Sequence, residues 1–365
     1  MSTFFARLLF AATRLPYEGV RAKDLPALTR HDKARAIKKL IHRWLTVRLY
    51  GQHSLLRAEK SSKSVLFMYV GVNNIGDALM DLSGRCLIDK RKCRADVLLD
   101  PSLAHLFKDD GFFEQVYGSP DDVDFSKYDH IVLNNLNLRS LKFKAKHAKR
   151  TSFGSMLGYF FGFDYNHIEL SFVAINRLLK LGHSVESVCA NAKITYTPRE
   201  ALPAPLRTAI GAPLKLICIA IGGRESYRTY PLWPEVLVLL DQQPALTGTC
   251  VVLLGSENAR QDEERIMNHH FKGIHVVSAV GQLSLAACAS LIEKSDVFVG
   301  ADGGLMHVAH ATDTPTVVLF SSDVPPDLRI TQSTRCLPLM QGYDVETISP
   351  PSVVAAMSLA LQRHP

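Results

Sequence analysis

Short apolar runs alternate with longer amphipathic stretches along most of this chain, and this alternation limits the possible folds more than any other feature. Five runs in the second half are rich in Val, Ile and Leu, and stretches with helical spacing separate them. These predicted strands are LKLICIAI (214–221), TCVVLLG (249–255), IHVVSA (274–279), DVFVGA (296–301) and PTVVLF (315–320). Strands that are apolar throughout are typical of parallel sheets that helices cover on both faces.

A similar series fills the first half of the chain. Its predicted strands are VLFMYV (65–70), ADVLLD (95–100) and HIVLNN (130–135), followed by a region predicted to be helical over about 152–182. A proline-rich loop at 197–213 separates the two series and predicts a domain boundary. A chain of 365 residues has the length of about two domains. We therefore expect two doubly wound α/β domains that face each other across a cleft.

The net charge of +7 is unevenly distributed along the chain. Residues 1–63 hold 14 Lys and Arg against four Asp and Glu, a net of +10, whereas the rest holds 28 against 31, a net of −3. Apolar residues of the 1–63 segment recur at helical spacing between basic ones, which predicts a basic amphipathic helix. They are Ile37, Leu40, Ile41, Trp44 and Val47. Two interpretations remain open: a helix lying on an anionic membrane surface, and a helix packed on the next domain with its basic face in solvent.

These patterns predict four segments of the chain. They are a basic N-terminal extension (1–63), an N-terminal Rossmann-like domain (64–205), a C-terminal Rossmann-like domain (206–345) and a closing helix (346–365).

Seven scattered cysteines, without a C-x-x-C pair, argue against a disulfide framework and a zinc site. The sequence also lacks G-x-G-x-x-G, G-x-x-x-x-G-K-[ST] and H-E-x-x-H, so a dehydrogenase, a P-loop enzyme and a zinc peptidase lose support.

Ligands of doubly wound sheets bind beyond the carboxyl ends of the strands, so the turns after the strands are the expected site. In GVNNIGDALMD (71–81), Asp77 stands at the start of the next helix. It is either an ordinary helix cap or a carboxylate that accepts a proton at the cleft.

The turn GGRESYRTYPLWP (222–234) combines two glycines with two arginines. They are Gly222, Gly223, Arg224 and Arg228. Since a guanidinium binds oxyanions bidentately, this turn is either a phosphate site or a solvated loop.

The third turn is the most informative of the three. It reads Asp302-Gly303-Gly304 and leads into a helix that bears His307. Two glycines leave the first N–H groups of that helix bare, which by geometry and dipole favours an anion. A single His on an apolar helix is more often a core residue, but the Asp and the glycines one turn before it favour contact with a ligand.

A basic run without acidic residues, LRSLKFKAKHAKR (138–150), follows the strand at 130–135. It is either a patch for an anionic acceptor or a solvated basic loop. The candidate acceptor-binding residues are Arg139, Lys142, Lys144 and Lys146. No nucleic-acid-binding module or aromatic interleaving accompanies the charge, so nucleic acid is not an expected partner.

These segments together resemble glycosyltransferase family 9, the bacterial heptosyltransferases of lipopolysaccharide core assembly. Three landmarks match in order over roughly 64–345: Gly76-Asp77, GGRESYRTYP, and the block LSLAACASLIEKSDVFVGADGGLMHVAHA (283–311). The resemblance implies a GT-B fold whose N-terminal domain binds the acceptor and whose C-terminal domain binds a nucleotide-diphosphate sugar. It also implies inversion at the anomeric carbon, without a metal and without a cofactor.

The resemblance also implies residue roles. Asp77 falls on the family's proposed catalytic base, and Arg228 falls on a lysine that contacts the phosphate and the leaving group. Either Glu257 or Asp262 falls where an acidic residue holds the ribose. The positions that hold the donor sugar and the diphosphate fall on Asp302, Gly303, Gly304 and His307.

The implied activity is transfer of heptose from ADP-heptose to the core of lipopolysaccharide or lipooligosaccharide. Its expected partners are the nucleotide sugar, an anionic glycolipid and an anionic membrane, at the inner face of the bacterial inner membrane. Two departures from the family pattern, Gly303 for the common threonine and Arg228 for lysine, leave the donor sugar open. The alternatives are an enzyme of the same fold with another nucleotide sugar or a non-lipid acceptor, and a catalytically silent nucleotide-sugar-binding protein.

Overall fold

The computed structural model describes residues 7, 10, 12–23, 30–49, 63–160, 162, 164–223 and 225–362. The chain divides into two compact units, which are described separately below. Unit 1 comprises Met1–Lys193 and Thr331–Ser333, and unit 2 comprises Ile194–Ile330 and Thr334–Pro365.

Unit 1 contains a five-stranded parallel sheet and its covering helices. Its elements are α1 (Arg30–Leu49), β1 (Ser64–Tyr69), α2 (Ile75–Asp81), β2 (Arg94–Leu99), α3 (Pro101–Phe107), β3 (Val116–Tyr117), β4 (His130–Leu133), α4 (Leu138–His147), β5 (Ser152–Ser155), α5 (His167–Leu178) and α6 (Val185–Ala190). The strand order is β3-β2-β1-β4-β5. Strands β2 and β3 lie on one side of β1, and β4 and β5 lie on its other side. The direction of the chain connection therefore reverses between β1 and β4, which is the topological switch point of this sheet.

The strands of unit 1 are buried on both faces, as their sequences predict. Every residue of β1 after Ser64 is buried. Val65 lies opposite Ala95 of β2 and opposite His130 of β4 in parallel register. Val47 of helix α1 joins the core cluster that contains Leu66, and Leu40 is buried in a smaller cluster with Ala12. Lys38 and Lys39 lie on the exposed face of this helix.

Unit 2 contains a six-stranded parallel sheet. Its elements are α7 (Ala204–Ile210), β6 (Leu216–Ala220), α8 (Trp233–Asp241), β7 (Cys250–Leu254), α9 (Arg260–Met267), β8 (His275–Ser278), α10 (Leu285–Glu293), β9 (Val297–Ala301), α11 (Gly304–Ala311), β10 (Thr316–Phe320), β11 (Cys336–Met340) and α12 (Pro350–Gln362). The order β11-β10-β9-β6-β7-β8 places the switch point between β6 and β9. Helix α12 closes the core, where Val353 and Met357 join the cluster that contains Val299 and Val317.

The predicted fold class is confirmed as two α/β units with parallel sheets, but one predicted element is wrong. Residues 152–155 form the edge strand β5, with Phe153 opposite Ile131, and a helix begins only at His167. The side chain of Asn166 caps that helix by accepting from the Glu169 N–H. A four-residue edge strand is too short to show a periodicity that separates it from the helix that follows.

The division between the units falls at Lys193–Ile194, before the predicted boundary at residue 205. Residues after 193 are tied to unit 2 by side-chain contacts. Arg199 pairs with Glu293 at 2.9 Å, and the Glu200 N–H donates to Ser290 Oγ at 3.1 Å. Among the described residues, no helix has the length and apolar character needed to span a membrane.

Candidate functional site

The switch point of unit 2 brings two of the predicted turns to one edge of its sheet. Strands β6 and β9 are neighbours, so the turn at Gly222-Gly223 and the turn at Asp302-Gly303 follow adjacent carboxyl ends. Gly222 has φ +81°, and a Cβ there would lie 2.7 Å from Cβ of Ala259. A Cβ on Gly223 would lie 2.8 Å from Oγ1 of Thr229. Both glycines are therefore required by close packing of the loop.

Asp302 is the centre of a cluster of basic side chains. Its carboxylate is only 5% exposed, and Oδ2 lies 3.6 Å from Nη1 of Arg228 and 3.8 Å from Nε of Arg329. Oδ1 lies 3.9 Å from Nε2 of His307, which is also buried. Two guanidinium groups thus lie near one buried carboxylate, with the Arg228 side chain 27% and the Arg329 side chain 10% exposed. Guanidinium groups gathered in this way suit an oxyanion ligand.

The first turn of α11 adds a second feature that favours an anion. Gly303 is the N-cap in extended conformation, and no side chain among the described residues caps the helix. The first N–H groups of α11 therefore face outward beside Asp302 with the positive end of the helix dipole. His307 lies one turn into α11, as the sequence predicts.

Arg329 was not singled out from the sequence. It follows a short 3-10 turn, Pro326–Leu328, in the connection between β10 and β11, and its side chain is 10% exposed. Nη1 donates to the carbonyl of Leu328 at 3.1 Å, which fixes the guanidinium next to Asp302. An isolated arginine in a loop without a glycine or strand pattern gives no sequence signal, and only the folded chain brings it to Asp302.

The acidic residue expected near the ribose has two candidates with different surroundings. Glu257 lies in the turn after β7, and in that turn Asn258 Nδ2 donates to the carbonyl of Gly223 at 2.9 Å. Ion pairing with Arg260 lowers the pKa of the exposed Glu257 carboxyl. Asp262 lies within α9 and pairs with Arg265 at 3.3 Å. The turn of Glu257 contacts Gly222 and Gly223 through Ala259 and Asn258, whereas the helix of Asp262 contacts the same loop at Pro231 through Arg265.

In unit 1, Asp77 lies at the switch point between β1 and β4. It occupies the first turn of α2 and is partly buried. It is not the helix cap, because Asn74 is the N-cap and its side chain accepts from the Gly76 N–H at 3.0 Å. The capping interpretation of Asp77 is therefore wrong. A carboxylate in the first turn is nevertheless favoured by the helix dipole.

The predicted acceptor-binding run forms helix α4, and its four candidate residues separate into two groups. Arg139, Lys142 and Lys146 are exposed. The Arg139 side chain also packs against Gly71 in the turn that leads to α2. Lys144 is 2% exposed and contacts the ring of Phe153 at 4.7 Å, so its assignment to an exposed acceptor patch is wrong. Burial lowers the pKa of its amine to about 8.

Two further predictions concern Arg224 and a metal ion. Arg224 lies outside the described residues. Within the described part of the chain, no group of three or more His, Cys, Asp or Glu side chains is arranged to hold a metal ion.

Comparison with known proteins gives the family. Residues 127–336 match the family model described as glycosyltransferase family 9 (heptosyltransferase). Comparison with curated protein sequences finds no significant match.

Solved structures with the same fold have low sequence identity to this chain. A glycosyl transferase family 9 protein from Veillonella parvula DSM 2008 is 14% identical with a TM-score of 0.63, over 85% of this chain and 100% of that chain. The E. coli ADP-heptose lps heptosyltransferase II is 17% identical with a TM-score of 0.59, over 82% and 99%. The E. coli heptosyltransferase WaaC with ADP is 14% identical with a TM-score of 0.57, over 82% and 99%.

These likenesses identify the two parallel α/β units as a GT-B-type fold. The family model spans more than half of the sequence, including the whole of β6–β10 and the Asp302 cluster. This chain belongs to glycosyltransferase family 9 and is a glycosyltransferase.

Proposed function

We propose that this glycosyltransferase transfers heptose from ADP-heptose to the core of lipopolysaccharide or lipooligosaccharide, with inversion at the anomeric carbon and without a metal ion. The observation that carries the proposal is the cluster in which Arg228 and Arg329 share the buried carboxylate of Asp302 beside the start of α11. Two guanidinium groups beside a helix N-terminus suit the diphosphate of a nucleotide sugar. The heptosyltransferase description of the matching family supports the choice of sugar.

In the proposed reaction, the acceptor hydroxyl oxygen attacks the anomeric carbon of the donor sugar. The bond from that carbon to the diphosphate oxygen breaks, and its electron pair leaves with the nucleoside diphosphate. The hydroxyl proton goes to the carboxylate of Asp77, which acts as the general base. Charge that develops on the diphosphate is stabilised by Arg228 and by the first N–H groups of α11.

Asp302 and Gly303 are proposed to hold the donor sugar, and Gly304 and His307 the diphosphate. Gly222 and Gly223 let the backbone of their turn approach the donor, and Glu257 is proposed to hold the ribose. Asp302 is well suited to its role, because a carboxylate accepts hydrogen bonds from sugar hydroxyls while its charge holds two guanidinium groups in place. Arg224 stays a prediction for this site.

The acceptor is proposed to be an anionic glycolipid that unit 1 recognises through the exposed stripe on α4, Arg139, Lys142 and Lys146. Arg139 has a special place in this stripe, since it packs beside the turn that leads to Asp77. Exposed basic side chains of α1, such as Lys38 and Lys39, support a peripheral contact with the anionic inner face of the bacterial inner membrane.

A donor and acceptor panel tests the proposal. The full-length chain is incubated with ADP-heptose and with UDP-, GDP- and other ADP-sugars, and release of the nucleotide diphosphate is measured. Each donor is paired with a Kdo- and phosphate-bearing glycolipid and with its dephosphorylated counterpart. We expect ADP-heptose to be turned over fastest, by about 100-fold or more over donors with the wrong nucleotide, and the phosphorylated acceptor to be preferred.

Two outcomes would favour the alternatives. Efficient turnover of another nucleotide sugar, or of a non-lipid acceptor, would support a same-fold enzyme with different substrates. Nucleotide binding without release from any donor would support a catalytically silent binding protein. The co-occurrence of Asp77, Asp302 and Arg228 argues against the silent protein, since binding alone does not require a base.

A further inference from the structure

A buried polar network lies in unit 1, four residues beyond Asp77, and the proposed reaction does not use it. Its centre is Asp81, the last residue of α2, which is 4% exposed. One carboxylate oxygen accepts from the Tyr69 hydroxyl at 2.8 Å and from Asn134 Nδ2 at 2.7 Å. The other oxygen lies 2.7 Å from Nδ1 of His167, the first residue of α5. Strands β1 and β4 and helices α2 and α5 thus converge on one carboxylate at the switch point.

His167 lies between two carboxylates. Its Nδ1 faces Asp81, and its Nε2 lies 3.6 Å from Oδ1 of Asp164. The ring stacks on Tyr165 with 4.4 Å between ring centroids, which fixes its plane. A ring whose two nitrogens both face carboxylate oxygens is complementary to the imidazolium ion, in which both nitrogens donate. The geometry therefore suits an ion pair between His167 and Asp81.

Asp77 and Asp81 are close enough to influence each other. They are four residues apart on α2, so their side chains lie on one face of the helix. Both carboxylates affect the Tyr69 hydroxyl. Burial is the largest cause of its raised pKa, and the negative charges of Asp81 and then Asp77 raise that pKa further. Two like charges at this spacing oppose each other's ionisation. Without a compensating cation, the negative charge of Asp81 would therefore disfavour the ionised form of Asp77.

We propose that the Asp81–His167 ion pair is a positioning pair for Asp77. The imidazolium of His167 cancels the charge of Asp81, so that Asp77 stays ionised when it has to accept the proton of the acceptor hydroxyl. The same contacts fix α2 against α5 and thereby the direction of the Asp77 side chain. This inference rests on the role proposed above for Asp77.

Other charged or titratable groups surround this pair on every element packed against it. They are Tyr69 on β1, Asp77 on α2, Arg139 on α4 against the β1–α2 turn, Asp164 and Tyr165 before α5, and the Arg21–Glu169 ion pair at the start of α5. Arg21 and Glu169 already neutralise each other at 2.8 Å. His167 is a basic side chain in direct contact with the Asp81 carboxylate, with Nδ1 2.7 Å from Oδ1.

The experiment is a carbon-13 NMR titration of the Asp77 carboxyl group in the full-length chain labelled at its aspartate carboxyl carbons. Loss of one signal in Asp77→Asn identifies the resonance. In His167→Asn the amide still donates to Asp81 but carries no charge, and we expect the Asp77 midpoint to rise by about one pH unit. In Asp81→Asn the negative charge beside Asp77 is removed and the imidazolium is left uncompensated, so we expect the Asp77 midpoint to fall. The double variant Asp81→Asn/His167→Asn should return to the wild-type midpoint, since its pair is again neutral.

Tyr69→Phe is the matched control, because it removes one hydrogen bond from the same carboxylate and leaves the ion pair intact. It should lower the unfolding temperature without moving the Asp77 midpoint. Identical midpoints in all variants, or shifts of one sign in both single variants, would overturn the proposal and leave a structural network only. Because the titration needs no turnover, a failure of ADP-heptose as donor would appear in the transfer assay and not here.

Discussion

At the residue scale, the proposed donor site consists of one buried acid surrounded by several basic side chains. Asp302 faces Arg228, Arg329 and His307 within 3.9 Å, and all three distances exceed that of an ordinary hydrogen bond. The carboxylate therefore gathers these side chains at the start of α11, next to the place proposed for a diphosphate.

Replacement of Arg329 tests this description of the cluster. Arg329→Gln removes one of the two guanidinium groups, and we expect the affinity for ADP to fall about 10-fold, the typical effect of losing a hydrogen bond to a charged group. The exposed Arg335, whose guanidinium donates to the backbone carbonyl of Asp313 at 3.3 Å, gives the control Arg335→Gln with unchanged affinity. Isothermal titration calorimetry measures both. Equal affinities of Arg329→Gln and wild type would remove Arg329 from the site.

Asp302, Arg228 and His307 can be proposed from the sequence because they follow strands and glycines in a fixed order. Motif reasoning of this kind depends on local patterns. It missed Arg329 because no local pattern marks a residue that reaches the site only through the fold. It misplaced Lys144 because it treated 138–150 as a charge run and ignored helical periodicity. Lys144 is three residues after Leu141 and four before Ala148, both buried, so the helical period already places it on the inner face of α4.

At the element scale, α4 has an exposed basic face and one buried amine. Burial lowers the pKa of Lys144 to about 8 from the usual 10.5, so the unfolded chain binds more protons than the folded chain between these values. Stability contributed by this residue therefore rises with pH from about 8 to 10.5. Below pH 8 the folded protein has to hold the charged amine in a poorly solvated place.

Lys144→Met tests the burial of this amine. The variant should be more stable than wild type at pH 7, and its advantage should shrink by roughly 1–3 kcal/mol as the pH approaches 10. Lys142→Met, two residues away on the exposed face, should show no such pH-dependent difference. Urea unfolding at several pH values measures the free energies. A constant difference between Lys144→Met and wild type across this range would show that the amine is not desolvated.

Other elements show where sequence patterns are sufficient. The strands of both sheets were predicted well because parallel strands buried on two faces are apolar throughout, a strong signal. The edge strands β3, β5 and β11 were not predicted, since they are short or only partly buried. Helix α1 was predicted as a helix, but its sequence could not decide between a membrane and the protein core as the partner of Leu40 and Val47.

At the scale of the whole molecule, the proposed reaction divides its work between the two units. Unit 1 supplies Asp77 at the switch point of its sheet, and unit 2 supplies the Asp302 cluster at the switch point of its own sheet. The net charge of +7 does not describe either site. The charges that matter are local, at the cluster of unit 2 and on the exposed face of α4 in unit 1.

This division is tested by measuring the transfer rate and the ADP affinity of Asp77→Asn in parallel. The amide has nearly the same size as the carboxylate but cannot accept the proton, so transfer should fall by about 10²–10⁴-fold. Since the donor cluster lies in unit 2, the dissociation constant for ADP should change by less than about twofold. Transfer at the wild-type rate, or loss of ADP binding together with transfer, would contradict the assignment of Asp77 as the base.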